Sequence, residues 1–308
     1  MTPGTGDGFA YVLMSHVDPD AVLATARRIR ELSPRAHVLV RHAGARGFAA
    51  LGPSPAPGVE VLTSTTALRW GTFSMVQGVV EALEEARARW RPTHTVVVSG
   101  QDRPVHDLAA WEASLVADGA DALVRSDPRA YPDRWARCWH PLPDPPVALE
   151  PALRLTGRLG LDRTLHHAGG RTWFVAHRRT ALRSPLPYRK GSLWMTVSAA
   201  AAGELSRAAR DPELVAWFSS QLLPDEAFAP TVLGAARGLR VVDAATTTAL
   251  FEPGSPAHPR ALTRADLATV LGRSAPFARK VVPGTGDDLV AALDAAVDAE
   301  RADHLQRR

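Results

Sequence analysis

Residues 94–104, HTVVVSGQDRP, decide how this chain is expected to fold. The run from His94 to Ser99 is rich in β-branched residues and predicts a strand buried on both faces, as in a parallel sheet. A polar loop, Ser99-Gly100-Gln101-Asp102-Arg103-Pro104, follows directly. Open α/β folds bind ligands at the carboxyl ends of such strands. The loop is therefore a candidate binding site, although a plain turn is an equally good interpretation of these residues alone.

Strands and helices alternate upstream of this segment. Residues 9–16, 36–42 and 58–63 are short apolar runs that predict strands, and residues 19–33 carry a helical apolar face. A long helix is predicted after the turn at 69–74. This alternation predicts an α/β fold with a mostly parallel central sheet.

Downstream of this segment, the prediction is less regular. Strands are expected at 121–126, 171–177 and 239–243, and helices at 263–272 and 286–303. The proline-rich stretches 141–157 and 252–260 are expected to be irregular. We expect residues 1–308 to form a single domain.

Composition and charge limit the possible partners. The net charge of +4 and pI of about 9.8 suggest an anionic ligand, but the basic residues are scattered, so nucleic acid is not expected. No apolar run has membrane-spanning length, which allows at most peripheral membrane contact. The single cysteine, Cys138, excludes an intramolecular disulfide and favours a cytoplasmic location.

The sequence lacks the spacing of a metal site. Asp18-Pro19-Asp20 has the form of an acidic metal motif, but a helix start explains both acids, with Asp18 as the N-cap. One cysteine and dispersed histidines also give no zinc pattern. We therefore expect no metal cofactor.

Lysine is rare in this chain. Of 36 basic residues only two are lysines, Lys190 and Lys280. Ammonium and guanidinium groups are not interchangeable, so a lysine retained against this bias is a candidate functional residue, unless it survives by chance.

The segment 188–231 contains Lys190 and ends in an acidic turn. It begins with the glycine-centred turn Lys190-Gly191-Ser192, crosses two alanine-rich, helix-prone runs and reaches Pro224-Asp225-Glu226. Proline and acidic residues suit the first turn of a helix. A capped helix with solvated acids is the simpler interpretation, and a carboxylate held beside a binding site is the functional one.

Five short motifs along the chain resemble one enzyme family. They are Trp70-Gly71, Ser99-Gly100-Gln101-Asp102-Arg103-Pro104, Gly191-Ser192-Leu193-Trp194, Pro224-Asp225-Glu226-Ala227-Phe228 with Thr231, and Phe277-Ala278-Arg279-Lys280. Their order is similar to that of the core-2/I-branching β-1,6-N-acetylglucosaminyltransferase family, which includes peptide O-xylosyltransferases. The similarity extends from about residue 9 to residue 285.

The resemblance implies a GT-A-like (Rossmann-like) fold and an inverting glycosyltransferase that uses a UDP-sugar as co-substrate without a metal. It implies a nucleotide-binding half at about 9–130 and an acceptor half at about 131–285, before the terminal helix. The acceptor would be a carbohydrate, a glycolipid or a secondary metabolite; neither the acceptor, the sugar nor the oligomeric state follows from the sequence.

The same resemblance implies roles for individual residues. Glu226 would be the catalytic base, with Asp102 as the rival candidate. The diphosphate would be held by Arg260 and Lys280, with Arg279 and His16 as further donor-binding residues. The sugar and acceptor site would include residues from four of the motifs: Trp70, Gly71, Ser99, Gly100, Gly191, Ser192, Trp194 and Asp225.

The chain departs from the family pattern at one position. The second strand of family members ends in His-Val-Asp, whose acid helps to hold the nucleotide, whereas this chain has Arg41-His42-Ala43-Gly44. Strict preference for UDP is therefore open. We expect neither the N-terminal anchor nor the disulfides of the animal Golgi members, and the chain resembles a soluble bacterial version of the family.

Two other functions fit the same residues. Asp102 and Glu226 could be the paired carboxylates of a glycoside hydrolase, but a basic pair near the C-terminus has no role in cleaving a simple glycoside. Alternatively, the chain could bind a sugar nucleotide without catalysis, having lost the His-Val-Asp acid.

Overall fold

The computed structural model describes residues 8–44, 49–128, 137–142, 163–168, 171–177, 184–252, 258–284 and 286–307. The strands of this part are β1 (Phe9–Ser15), β2 (His37–His42), β3 (Val59–Val61), β4 (His94–Ser99), β5 (Arg103–Pro104), β6 (Ala122–Leu123), β7 (Ser126–Asp127), β8 (Arg137–Pro141), β9 (Arg163–Ala168), β10 (Arg171–His177), β11 (Lys190–Gly191), β12 (Met195–Ser198), β13 (Val241–Val242), β14 (Thr247–Ala249) and β15 (Phe277–Arg279).

Helices lie between many of these strands. They are α1 (Pro19–Leu32), α2 (Ser74–Trp90), α3 (Leu108–Asp118), α4 (Ala199–Ala208), α5 (Pro212–Ser219), α6 (Phe228–Ala235), α7 (Leu267–Leu271) and α8 (Asp287–Gln306). Two 3₁₀ turns cover Pro224–Glu226 and Arg264–Asp266. None of these helices combines the length and apolar character that crossing a bilayer requires.

The central sheet has seven strands in the order β13-β6-β12-β4-β1-β2-β3. The pairs β4-β1, β1-β2, β2-β3 and β6-β13 are parallel, and β12 runs antiparallel to both of its neighbours. The prediction of a mixed α/β fold with a mostly parallel sheet is thus confirmed. Strands from late in the chain, β12 and β13, belong to the same sheet as β1 to β4.

Side chains of β1 alternate between two buried layers. Ala10, Val12 and Met14 pack with residues of α2, α4, α5 and α6. Phe9, Tyr11 and Leu13 pack on the other face with residues of α1, α3 and α8. Because both faces are covered, β1 is buried along its whole length, and a continuous apolar run is the expected sequence pattern.

Several predicted elements differ from the structure in detail. The 121–126 prediction is divided, since β6 ends at Leu123 and Ser126 belongs to β7, which pairs with β11. The segment 188–231 contains the unpredicted strand β12 before its alanine-rich helix begins. The proline-rich residues 143–157 and 253–257 lie outside the described residues.

The prediction that Asp18 caps a helix is confirmed. Its carboxylate accepts hydrogen bonds from the backbone N–H groups of Asp20, at 2.9 Å, and Ala21, at 3.3 Å. Pro19 and Asp20 occupy the first turn, as the sequence indicated.

An ion-pair network ties α8 to α1 and to the short strand β5. Asp294 of α8 accepts two hydrogen bonds from the Arg103 guanidinium and lies 3.3 Å from Nε of Arg28. Both arginines are about nine-tenths buried. Arg28 also pairs with Asp298, at 2.7 Å.

We expect Asp294→Ala to lower the free energy of unfolding by about 2 kcal/mol in urea titrations. The value lies between that of an exposed pair and that of a fully buried one, because Arg28 keeps Asp298 while Arg103 loses its bidentate partner. Glu204→Ala is the matched control: it removes a carboxylate from the surface pair with Arg207 and should cost less than about 0.5 kcal/mol. Equal effects of the two substitutions would contradict the role given to Asp294.

Candidate active site

Segments that are distant in sequence meet at the carboxyl edge of the parallel strands. The ends of β1, β2 and β4 and the residues after β15 are joined there by backbone hydrogen bonds. These bonds run from Gly100 to Met14 O at 2.9 Å, from Ala43 to Ser15 O at 2.7 Å, and from Val281 to Gln101 O at 2.9 Å. The Ser99–Pro104 loop therefore lies against the Phe277–Lys280 motif, as a shared site requires.

Asp102 is completely buried at this edge. Its Oδ2 accepts hydrogen bonds from the Ser99 N–H, at 3.0 Å, and the Thr247 hydroxyl, at 3.1 Å. Its Oδ1 lies 3.5 Å from Nε of Arg279 and has no hydrogen-bond partner among the described residues. Burial raises the pKa of Asp102, while the positive charge of Arg279 and both hydrogen bonds act in the opposite direction. The carboxylate is thus enclosed and aligned on Arg279.

Arg279 is held between this carboxylate and an aromatic ring. Its guanidinium carbon lies 4.4 Å from the centroid of the Trp194 ring, within the range of a cation–π contact. The guanidinium therefore lies over one face of Trp194, a partly buried ring that also packs against the core. Held on two sides, Arg279 presents a positive charge with little conformational freedom.

Lys280 extends the positive charge around the end of β1, where it lies near His16. His16 is exposed, directly after β1. Partial burial lowers its pKa, and so do the neighbouring Lys280, His42 and Arg279, in that order. His42 is engaged with the backbone, its ring nitrogens lying 2.9 Å from Val17 O and 3.0 Å from the Gly44 N. This basic edge, formed by His16, Arg279 and Lys280, is suited to binding an anion.

Arg260, the other predicted diphosphate residue, is engaged elsewhere. Its guanidinium donates two hydrogen bonds to the Asp266 carboxylate, at 2.8 and 2.5 Å. This pairing holds the pKa of Asp266 at about 2. Leu262, two residues further on, donates to Lys280 O at 2.9 Å, so the segment supports the basic edge through its backbone. A direct role of Arg260 in donor binding stays a prediction.

The acidic turn Pro224–Glu226 packs against the Trp70-Gly71 motif. Leu223 N–H donates to Gly71 O at 3.1 Å. Gly71 has a φ of +75°, and a Cβ at this position would lie 3.1 Å from the Trp173 ring, so both the conformation and the space favour glycine. Trp70 itself is about one-third exposed and has an accessible surface beside this turn. The two motifs are therefore neighbours in the fold.

Glu226 forms an ion pair with Lys190. Its Oε2 lies 2.9 Å from the Lys190 Nζ, and both side chains are partly exposed. Asp225 beside it is partly exposed as a residue, but its Oδ1 is buried and has no hydrogen-bond partner among the described residues. Burial, and then the charge of Glu226, raise the pKa of Asp225 to about 7, although Lys190 acts against this shift. The turn thus carries two adjacent carboxyl groups beside one cation.

The predicted site residues form two groups. One is the basic edge with Asp102, Ser99, Gly100 and Trp194. The other is the acidic turn with Lys190 and Gly71. The segment Gly191–Trp194 connects them in sequence, and the Trp194 N–H donates to the Ser192 hydroxyl at 3.1 Å.

Sequence reasoning missed two contacts of this site. Thr247, which binds Asp102, lies in a run of three threonines that carries no recognisable signal. The partnership of Lys190 with Glu226 was also missed, although the rarity of lysine had marked Lys190 as unusual. Among the residues that the structure covers, no group of three or more His, Cys, Asp or Glu side chains could hold a metal ion.

A separate open cavity of about 500 Å³ lies between α3, α7 and α8. Four of its polar side chains form two pairs, since His304 contacts Asp107 at 3.0 Å and His106 lies 3.4 Å from Glu300. None of the residues predicted to form the site lines this cavity.

Comparisons with known proteins give only distant similarity. No family model matches the chain, and no curated protein does. Among solved structures, the bifunctional IspDF from Campylobacter jejuni is 9% identical with a TM-score of 0.36, covering 77% of this chain and 49% of that one. S. aureus TarS 1-349 is 10% identical with a TM-score of 0.39, covering 78% and 61%.

A third structure, a CMP:2-keto-3-deoxy-manno-octonic acid synthetase complexed with CTP, is 10% identical with a TM-score of 0.32 and covers 68% and 82%. The chain thus spans about half of the first of these proteins and three fifths of the second. Similarity at this level assigns no activity to the chain, and the case for a function depends on its own residues.

Proposed function

We propose that this protein is an inverting, metal-independent glycosyltransferase that moves a sugar from a UDP-sugar to an acceptor hydroxyl. The observation that carries the proposal is the basic edge. His16, Arg279 and Lys280 gather at the carboxyl ends of the parallel strands, where α/β folds bind their ligands. A nucleoside diphosphate is an anion suited to this place.

The chemistry assigned to the basic edge is stabilisation of the leaving group. When the bond from the anomeric carbon to the β-phosphate breaks, negative charge develops on the diphosphate. Fixed cations stabilise such charge at little reorganisation cost. Arg279, held by Asp102 and Trp194, and Lys280 are the groups that supply this stabilisation in our proposal.

Glu226 is the better of the two candidate bases. A base must reach the hydroxyl whose proton it accepts. Glu226 is partly exposed, whereas Asp102 is enclosed and has both oxygens directed at Ser99, Thr247 and Arg279. We therefore assign proton abstraction to Glu226 and the positioning of Arg279 to Asp102. In the proposed reaction the acceptor oxygen attacks the anomeric carbon, its proton passes to Glu226, and UDP leaves.

The burial of Asp102 also favours transfer over hydrolysis by paired carboxylates, because a glycosidase needs two acids that reach the substrate.

The identity of the nucleotide, UDP, is inferred from the family resemblance. Arg41 lies near the end of β2, where family members have the nucleotide-binding His-Val-Asp. It is buried and donates hydrogen bonds to the Ser64 hydroxyl and to Thr66 O, so its guanidinium is engaged within the protein.

UDP should bind with the same affinity in EDTA as in magnesium. The reason is that the proposed diphosphate clamp consists of the side-chain cations Arg279 and Lys280. Isothermal calorimetry with UDP, GDP and dTDP, each with and without chelator, measures this directly. Arg207→Ala, which removes an exposed cation of α4, is the control and should bind UDP like the wild type.

Loss of UDP binding in EDTA would contradict the metal-independent clamp. Absence of binding to all three nucleotides would contradict the proposed function itself. Nucleotide binding without release of UDP from any UDP-sugar would indicate a non-catalytic binding protein.

A further inference from the structure

We propose that Lys190 is a positioning residue that holds the Glu226 carboxylate in the orientation in which it can accept the acceptor proton. This inference rests on the proposed function, since it assigns a role to the neighbour of the proposed base. Its starting point is the 2.9 Å contact between the Lys190 Nζ and the Glu226 Oε2. The contact joins the ammonium group directly to the carboxylate of the proposed base.

The backbone of Lys190 is fixed by the strand pair β11-β7, in which Lys190 is opposite Asp127 and Gly191 is opposite Ser126. A Cβ on Gly191 would overlap the Arg125 carbonyl oxygen and lie 2.7 Å from Cγ of Pro230, so the strand can approach this closely only at a glycine.

The buried hydroxyl of Thr231 provides a second restraint. It accepts a hydrogen bond from the Arg189 N–H, at 3.0 Å, and donates to Arg189 O, at 3.1 Å. Thr231 lies on α6, which follows the acidic turn by two residues. Arg189, the neighbour of Lys190, is therefore bound to α6, and Glu226 lies on the turn just before α6. These contacts fix the position of Lys190 relative to Glu226.

The electrostatic need for a cation at this place comes from Asp225. Asp225 has a buried oxygen and lies directly beside Glu226. Burial and the charge of Glu226 raise the pKa of Asp225 to about 7, so this neighbour holds a proton near neutral pH. A positive charge beside Glu226 opposes transfer of such a proton to the base. Lys190 is the cation that contacts the pair, and Asp127 and Arg189 are the other charged residues on the strands packed around it. Removal of Lys190 should allow Asp225 to keep its proton to higher pH, because the charge of Lys190 lowers the pKa of this acid.

The test is the pH dependence of UDP release from UDP-N-acetylglucosamine or UDP-xylose, with water or an aryl glycoside as acceptor. In Lys190→Met we expect kcat at pH 6.5 to fall at least about tenfold, KM for the donor to stay within about twofold, and the acid limb of the profile to move to higher pH. Lys190→Arg keeps the charge and should restore part of the rate and most of the acid limb. Arg207→Met, which removes the cation of the surface pair with Glu204, is the matched control and should change neither.

A wild-type acid limb in Lys190→Met would overturn the proposal, and so would a pH-independent loss that arginine does not rescue, since that indicates a purely structural role. If Lys190→Met does not fold, as judged by circular dichroism, Asp225→Asn provides the test. Removing the acid that competes with Glu226 should move the acid limb to lower pH, and an unchanged limb would overturn the proposal.

Failure of this inference can be told from failure of the proposed function. If Glu226→Gln is inactive while the Lys190 variants behave like the wild type, only the positioning role is wrong. If Glu226→Gln is fully active, or if the wild type releases UDP from no donor, the proposed function is wrong and the role of Lys190 falls with it.

Discussion

Replacing Glu226 by glutamine should slow sugar transfer at least about 100-fold while leaving the affinity for UDP within about twofold. A positioned general base contributes roughly 10²–10⁴-fold to such a reaction. Glutamine keeps the shape of the side chain but cannot accept the proton. Glu226 lies on the acidic turn with Lys190 and not on the basic edge, so its loss should spare nucleotide binding. Initial rates of UDP release and calorimetry with UDP measure the two quantities separately.

Asp102→Asn is the informative comparison for Glu226→Gln. Asp102 is buried and aligned on Arg279. Its neutralisation should therefore weaken nucleotide binding as well as turnover, because the guanidinium loses its anionic partner. If Asp102→Asn instead removed turnover with UDP binding intact, while Glu226→Gln remained active, the two roles would have to be exchanged.

The sequence predicts the central sheet well because its signal is local. The strand β1 is a continuous apolar run, and β2 and β4 each contain three consecutive apolar residues, a pattern typical of strands buried on both faces. The strand β12 was missed for a physical reason. It has only four residues, and Ser198 at its end caps the alanine-rich helix α4, so helix propensity dominates the surrounding sequence.

The sequence supplied candidate residues for the site but not their contacts. Asp102, Glu226 and Arg279 were chosen because short motifs of the chain resemble those of a glycosyltransferase family, and their roles stay predictions. Whether a carboxylate is enclosed or accessible depends on residues far away in sequence, such as Thr247 above Asp102. That difference separates the two candidate bases, and no local pattern encodes it.

Replacing Lys280 by alanine should lower kcat/KM for the UDP-sugar about 100-fold, a loss of about 2.7 kcal/mol, and should weaken UDP binding. Lys280 follows the buried residues Phe277 and Ala278, and its own carbonyl accepts a hydrogen bond from Leu262 at 2.9 Å. Such anchoring aims the ammonium group with little freedom. A charge that must meet a developing diphosphate anion acts best when it needs no reorganisation. Stopped-assay rates below donor saturation and calorimetry with UDP measure the two effects.

Lys280→Arg separates charge from geometry at the same position. An arginine keeps the positive charge but spreads it over a planar fork, so it should recover only part of the rate. Thermal unfolding should be nearly unchanged in both variants, since Lys280 is partly exposed and surface substitutions of this kind cost less than about 0.5 kcal/mol. An alanine variant with wild-type kcat/KM and wild-type UDP affinity would show that Lys280 does not belong to the diphosphate clamp. Arg279 would then be left as the permanent cation of the basic edge, with too little positive charge to take the place of a metal ion at the leaving group.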